Sequence, residues 1–325
     1  MPSYLVTGGA GFIGSALVRR LLEHGDRVRV VDNFSTGLRR NLTEVMDRIE
    51  LLEGDLADPT VARRSVAGVE FVLHQAALPS VPRSIEDPIS SNHANVTATL
   101  NLLVAARDAR VKRLVYASSS SVYGDTEVLP KVETMRENPI SPYALTKLTG
   151  EKYCVIFHRV YGLPTVCLRY FNIFGPRQNP DSPYSGVISR FVSAALEDRR
   201  PTVHGDGEQS RDFTFVENAV QANLLGCSAE GVAGQVFNVG TGERCTLNDV
   251  LRVLSRIAGK KLDAEYVAPR PGDVRHSLAD IERARRLLGY DPKVRFEEGL
   301  RQTVAWFQSV RAATPPRQGS ESSCH

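Results

Sequence analysis

Short apolar runs alternate with helical repeats along the first half of the chain. The runs fall at residues 4–6, 28–31, 49–52, 71–73, 114–116 and 166–168. Each is rich in β-branched residues and apolar at nearly every position, as expected of a strand buried on both faces. Between them, residues 13–23 and 97–108 repeat apolar side chains at helical spacing. Strand, helix, strand in this rhythm implies right-handed crossovers and a parallel sheet.

The second half is mixed. Glycine, proline and aspartate cluster at 175–186, 205–207 and 269–273, which read as loops. Leu247, Val250, Leu251, Leu254 and Ala258 predict an amphipathic helix, and 236–239 one more buried strand. Segment 312–325 is polar and rich in Pro, Gly and Ser, the composition of a disordered tail. No sharp linker separates the halves. The pattern predicts an α/β fold: a doubly wound parallel sheet with a smaller, interwoven α/β lobe. The expected division is 1–173 with 212–240 for the sheet, and 174–211 with 241–311 for the lobe.

Composition narrows the function classes. The 325 residues are 42% apolar, enough for a large core, and the net charge is only +3. That balance argues against nucleic acid or a membrane surface as partner. No run of about 18 apolar residues is present to span a bilayer. The chain opens on a strand pattern, so no signal peptide is expected. Cys154, Cys167, Cys227, Cys245 and Cys324 form no CxxC pair and read as reduced thiols of a cytoplasmic protein. The seven histidines lack ligand spacing, so no metal is expected.

Thr7-Gly8-Gly9-Ala10-Gly11-Phe12-Ile13-Gly14 follows the first strand and opens the first helix. A glycine-rich turn there lets backbone N–H groups and a helix N-terminus approach a pyrophosphate, the signature of a Rossmann dinucleotide site. Asp32 ends the second strand, where a carboxylate bonds ribose hydroxyls and repels a 2′-phosphate; this favours NAD over NADP. Arg39 and Arg40 nearby work against that preference. Asp55 follows the third strand. Ala76 and Ala77 follow the fourth, where small residues admit a flat cofactor.

Tyr143 and Lys147 stand one helical turn apart, behind the helix start Ser141-Pro142. An ammonium beside a phenol lowers a pKa that is ordinarily about 10, which would make Tyr143 a general base. Upstream, Ser118, Ser119, Ser120 and Ser121 follow the fifth strand, at the sheet edge where ligands bind.

With these motifs in hand, the chain resembles the extended short-chain dehydrogenases/reductases, and within them the UDP-hexose 4-epimerases. The resemblance runs from about Ser3 to Phe307. It is carried by TGGAGFIG, HQAA, SSSSVYGD, SPYALTK, LRYFNIFGPRQ, GDGEQSRDFTFV, FNVGTG and RPGDVRHS, in that order. It implies Tyr143 as base, Lys147 as its partner on the nicotinamide ribose, and Ser119 as the serine on the reacting hydroxyl, with Ser120 near enough to share that role. It places Asn95 and Tyr170 on the nicotinamide side and adds Asn33, Leu56 and Ser118 to the NAD contacts. Ser80, Asn172, Val187, Arg211, Arg270 and Asp273 would hold the UDP-sugar. Ala98 departs from the glycine that relatives often carry. Dehydratases and decarboxylases of nucleotide sugars carry acidic residues where this chain has Ser120 and Ser121, so epimerisation through a transient 4-ketosugar is the implied reaction.

The resemblance also supplies a position that gates sugar size, four residues beyond Asp273: here Ser277. Relatives confined to UDP-glucose and UDP-galactose have a bulky Tyr there. A serine leaves room for an acetamido group, which points to UDP-GlcNAc and UDP-GalNAc. Plain UDP-glucose epimerisation, uronate substrates met by Arg83 or Arg275, a 4-ketosugar reductase and a non-enzymatic dinucleotide sensor are the alternatives. Helices beginning near His93 and at Pro142 would pair across a two-fold axis, as in the family's homodimers.

Overall fold

The computed structural model describes residues 1–180, 186–269 and 274–313. The first unit runs β1 (Ser3–Thr7), α1 (Phe12–Glu23), β2 (Arg27–Asp32), β3 (Glu50–Glu53), α2 (Pro59–Val66) and β4 (Phe71–His74). It continues through α3 (Val81–Glu86), α4 (Pro88–Asn92), a π turn (His93–Thr97), α5 (Ala98–Asp108), β5 (Arg113–Ser119), α6 (Pro142–Tyr161) and β6 (Thr165–Tyr170). Then come β7 (Asn172–Phe174), α7 (Val187–Leu196), β8 (Thr202–His204), β9 (Ser210–Arg211), β10 (Phe213–Phe215), α8 (Val216–Ser228) and β11 (Gln235–Val239). The chain closes with β12 (Cys245–Thr246), α9 (Leu247–Ala258), β13 (Glu265–Val267), α10 (Glu282–Leu288) and α11 (Phe296–Ala313).

Seven strands form one sheet in the order β11-β6-β5-β4-β1-β2-β3, every pair parallel. The predicted strands are all present. β3 departs from the expected two-sided burial: it is the sheet's edge, and Glu50 and Glu53 are exposed. Two apolar layers flank the sheet, with Val6, Val30, Val115 and Leu168 in one and Leu5, Val31, Leu114 and Cys167 in the other. This is the alternation of side chains across a pleat, with both faces covered.

A third core builds the smaller lobe. Phe174, Phe213 and Phe215 meet Phe191, Leu251, Leu254, Leu300 and Phe307 there. β7 pairs with β10, and β11 then returns to the main sheet, so the chain crosses between units several times. The helix expected from Leu247 to Ala258 forms with a capping box at Thr246 and Asp249, and buries Leu247, Val250, Leu251 and Leu254. Of the tail expected over 312–325, residues 312 and 313 are instead helical, since α11 continues to Ala313, and 314–325 lie outside the described residues. The four described cysteines are free thiols, and Cys324 lies outside the description. Among the described residues no helix is long and apolar enough to cross a membrane, and no cluster of metal-binding side chains occurs.

His74, at the end of β4, is wholly buried in a chain of hydrogen bonds. Thr99 Oγ1 gives its proton to Asn95 O at 2.6 Å, so it must accept from His74 Nε2, at 2.9 Å. His74 Nδ1 therefore accepts from Thr7 Oγ1 at 2.7 Å, while Thr7 itself accepts from Ala76 N at 3.1 Å. Burial, with the nearby Lys147, holds the ring neutral, with its pKa down at about 3 against 6.5. Between those values the unfolded chain binds a proton that the folded one refuses. This contribution to stability is full above 6.5 and lost as pH falls toward 3. His74→Gln is expected to flatten the fall in thermal stability across that range. An unchanged slope of Tm against pH would refute it.

Candidate active site

A cleft of about 540 Å³ runs along the carboxyl edge of the sheet. At one end lies the glycine turn. Gly8 has φ +65, and a Cβ there would sit 2.8 Å from the backbone of Ala76. A Cβ on Gly14 would fall 2.1 Å from Gly8 O. Only glycines let this turn close on β4 and expose its N–H groups. Gly8, Gly11, Phe12, Ile13 and Gly14 all line the cleft.

Asp32 lines it too, with Oδ2 accepting from Ala10 N at 2.9 Å and Oδ1 from Phe34 N at 2.8 Å. Burial pushes this carboxyl above its usual value, and the two N–H groups oppose the push. Asn33 Nδ2 donates to Asp55 Oδ2 at 3.0 Å, and both residues face the cleft. The two arginines that weighed against NAD stand off. Arg39 pairs with Glu53 and lies 4.1 Å over the Phe34 ring, and neither it nor Arg40 lines the cleft.

Leu56, Ala76, Ala77 and Tyr170 form the middle of the wall. Tyr170 OH donates to Gln75 Oε1 at 3.2 Å and accepts from Asn223 Nδ2 at 2.6 Å. Asn95 departs from expectation. It is buried behind the wall, where its Oδ1 accepts from Leu78 N at 2.7 Å and its Nδ2 donates to Thr146 Oγ1 at 3.0 Å. Its place in the π turn directs it at the backbone of the 77–80 loop, and its neighbours Ala94 and Ala98 face the cleft instead.

The serine run divides its work. Ser118 Oγ donates to Glu151 Oε2 at 2.8 Å. Ser119 and Ser120 line the cleft together with Tyr143, and the Ser119 hydroxyl opposes the rise of the Tyr143 phenol. The helix that carries Tyr143 is capped by Ser141, whose Oγ accepts from Ala144 N at 3.2 Å, with Pro142 in its first turn.

The expected effect of Lys147 on Tyr143 is not what the surroundings produce. Burial pushes the Tyr143 phenol up, and the counterweight is the Ser119 hydroxyl. Lys147 Nζ donates to Ala117 O at 2.9 Å, and burial lowers its own pKa to about 8. Desolvation is the dominant cause at both groups.

On the sugar side, Ser80, Arg83, Ser120 and Asn172 line the cleft, joined by Arg177 and Gln178, which end the motif LRYFNIFGPRQ but had no role assigned, and by Asn179. Ser80 caps α3 by accepting from Arg83 N at 3.1 Å. Val187, Arg211 and Ser277 do not line it. Val187 opens α7. Arg211 donates to the carbonyls of Ser210 and Arg275, both at 3.0 Å. Ser277 is buried in a strap whose N–H groups and carbonyls pair with Ser210. Arg270 and Asp273 lie outside the described residues.

The model of the NAD dependent epimerase/dehydratase family matches residues 4–240. The chain belongs to this family. A UDP-N-acetylglucosamine 4-epimerase from Methanobrevibacter ruminantium, solved with UDP-N-acetylmuramic acid, is 40% identical. It superposes with a TM-score of 0.91 over 95% of this chain and 99% of that one. UDP-glucose 4-epimerase of Mycolicibacterium smegmatis is 38% identical, covering 94% and 98% of the two chains. UDP-glucuronate 4-epimerase of Thermodesulfobacterium geofontis is 33% identical over 94% and 96%. The cleft fits the family's dinucleotide: a turn with no room for Cβ atoms at one end, a carboxylate at the second strand, and Tyr143 with Lys147 at the other end.

Glu151, one turn beyond Lys147, is 1% exposed and holds Arg169, also 1% exposed, at 2.7 Å. Glu151→Gln would leave that guanidinium underpaired in the core, a change that typically costs about 3–5 kcal/mol. Denaturant unfolding is expected to show a loss of that size, and a loss below about 1 kcal/mol would contradict it.

Proposed function

We propose that this protein interconverts C4 epimers of UDP-hexoses with bound NAD, with UDP-GlcNAc and UDP-GalNAc as the favoured pair. The finer reading rests on the resemblance at Ser277, a small side chain where the family's glucose-restricted members carry Tyr; buried in the strap paired with Ser210, it would act on the sugar through that strap and not from the cleft wall. The 40% identity to a UDP-N-acetylglucosamine 4-epimerase supports it. A second reading is favoured by Arg83, which lines the cleft and would suit a sugar carboxylate; a UDP-glucuronate 4-epimerase is among the relatives.

Gly8, Gly11 and the N-terminus of α1 hold the pyrophosphate of NAD, Asp32 a ribose of its adenosine half, and Lys147 the nicotinamide ribose. Bound NAD supplies a hydride acceptor and a positive charge to the cleft. Tyr143 removes the proton from the C4 hydroxyl as that carbon is oxidised. Ser119 donates to the oxygen on which negative charge develops. The sugar turns about its link to the diphosphate, which stays anchored, and Tyr143 returns the proton from the same position as C4 is reduced again, the hydride taken up in the first half coming back to its opposite face. No group of the protein is consumed, so turnover needs neither an added reductant nor a second substrate.

Leu145, Ile156 and Val160 on α6 and Ile89 on α4 are apolar and exposed. Two copies pair through this face. Ile156→Arg should therefore shift the mass measured by light scattering from dimer to monomer, and a wild-type monomer would exclude the pairing.

Tyr143→Phe is expected to lose at least about 10²-fold in kcat while keeping its fold and its NAD content. Near-normal turnover would remove Tyr143 from the reaction. The sugar is tested with the protein as purified on UDP-GlcNAc, UDP-GalNAc, UDP-glucose and UDP-glucuronate. Ser277→Tyr should depress turnover of the acetamido sugars selectively. Equal loss on all four, or none, would overturn the steric reading, and net consumption of reduced nicotinamide would identify a reductase instead.

A further inference from the structure

Ser119 faces the cleft alongside Tyr143, and its hydroxyl is held by a neighbour. Ser119 Oγ accepts from Ser121 N at 3.2 Å and from Ser121 Oγ at 2.8 Å. A serine oxygen has two acceptor sites and one proton. With both acceptor sites filled from Ser121, the one capability left to Ser119 is to donate. We propose that Ser121 is a positioning residue that turns the single proton of Ser119 into the cleft, toward Tyr143 in the free site and toward the reacting sugar oxygen in the loaded one.

The local fold explains why position 121 does this. Residues Ser120–Tyr123 form a 3-10 turn that starts directly at the end of β5 with Ser119 as its cap. The tight turn brings both the backbone N–H and the side chain of Ser121 back over Ser119 Oγ. The capping bond alone would stabilise the turn and leave one acceptor site open. The second bond, from the Ser121 hydroxyl, closes it. A phenolate or a developing alkoxide is a stronger acceptor than a neutral serine. The Ser119 proton therefore points into the cleft, and the bonds reinforce one another in sequence.

The consequence concerns the charge state of the base. The titratable and charged groups around Tyr143 are Lys147 on its own helix, Tyr116 on β5, Tyr170 on β6 and Arg83 on α3. His74 on β4 is coupled to Lys147. Among them, Ser119 is the hydroxyl that opposes the upward push of burial on the phenol. If Ser121 loses its hydroxyl, Ser119 Oγ can accept from the neutral phenol. That stabilises the protonated form and raises the pH at which Tyr143 becomes a base.

The test uses the full chain and rests on the UDP-hexose reading only for its kinetic arm. In Ser121→Ala, the acidic limb of the kcat–pH profile is expected to move up by about one unit, so that kcat falls about tenfold at the acidic end and recovers at the alkaline end. KM for the UDP-sugar stays unchanged, and Ser121→Thr restores the profile. A uniform fall at every pH, or a rise in KM, would mean that Ser121 merely builds the turn, and would overturn the proposal. Tyrosinate absorbance titration, read as the difference between each protein and its own Tyr143→Phe counterpart, follows the phenol without turnover. An upward displacement in Ser121→Ala supports the relay even if no UDP-hexose proves to be a substrate. An unmoved titration overturns it whatever the substrate.

Discussion

A buried charge pair holds the reactive end of this molecule together. Glu151 and Arg169 have each left water almost completely, an unfavourable transfer unless geometry and further hydrogen bonds offset it. Here they do. Arg169 reaches Glu151 through Nε at 3.0 Å and through a terminal nitrogen at 2.7 Å, and extends to Glu137 at 2.9 Å. Its guanidinium lies 4.7 Å from the centre of the Tyr123 ring. Glu151 spends its remaining capacity on Ser118. One cluster thus joins the helix that bears Tyr143 and Lys147, the strand end that bears Ser119, the strand that bears Tyr170, and the loop between β5 and α6. Ser118 and Arg169 are also register partners in the sheet. A shift of any one element would strand a charge in the core.

A second buried carboxylate does the same for the smaller lobe without a cation. Asp212 accepts from Thr241 N and Thr241 Oγ1 at 2.8 Å, from Gly242 N at 3.0 Å and from Ala279 N at 3.3 Å. Burial pushes its pKa up and these donors push it back. The bonds bind the turn after β11, which belongs to the main sheet, to the strap that contains Ser277. Lys131 pairs with the other edge of that strap through Leu278 and Asp280. The interweaving of the two units is therefore mechanical as well as topological: the residue proposed to gauge the sugar is fixed by bonds from both.

Much of this was legible in the sequence, and the exceptions follow a rule. The parallel strands, the glycine turn, Asp32, the capped helix of Tyr143 and the amphipathic helix at 247–258 all depend on local periodicity or local turn chemistry, which a single sequence displays. Asn95, Arg169 and Asp212 do not. Each is a polar residue in an unremarkable local context whose role is set by a backbone group or charge far along the chain. Only the folded sheet brings Asn95 to Leu78, Arg169 to Glu151, or Asp212 to Thr241. The short strands β7 to β10, β12 and β13 were missed for a related reason. At two or three residues each they have no period to read, and they form because their partners are already in place.

The same reasoning corrects the simplest picture of the base. Proximity in sequence suggested that an ammonium one turn away would acidify the phenol. In the fold, Lys147 is buried and Tyr143 half-buried in the cleft wall, and desolvation disfavours charge on both: the phenol rises and the ammonium falls to about 8. A dry pocket is nonetheless what makes fixed dipoles effective, because a donor there competes with no solvent. The hydroxyl of Ser119, oriented by its neighbours, is such a dipole. Burial therefore sets the difficulty of ionising Tyr143 and, by the same exclusion of water, gives one well-aimed hydrogen bond the strength to relieve it.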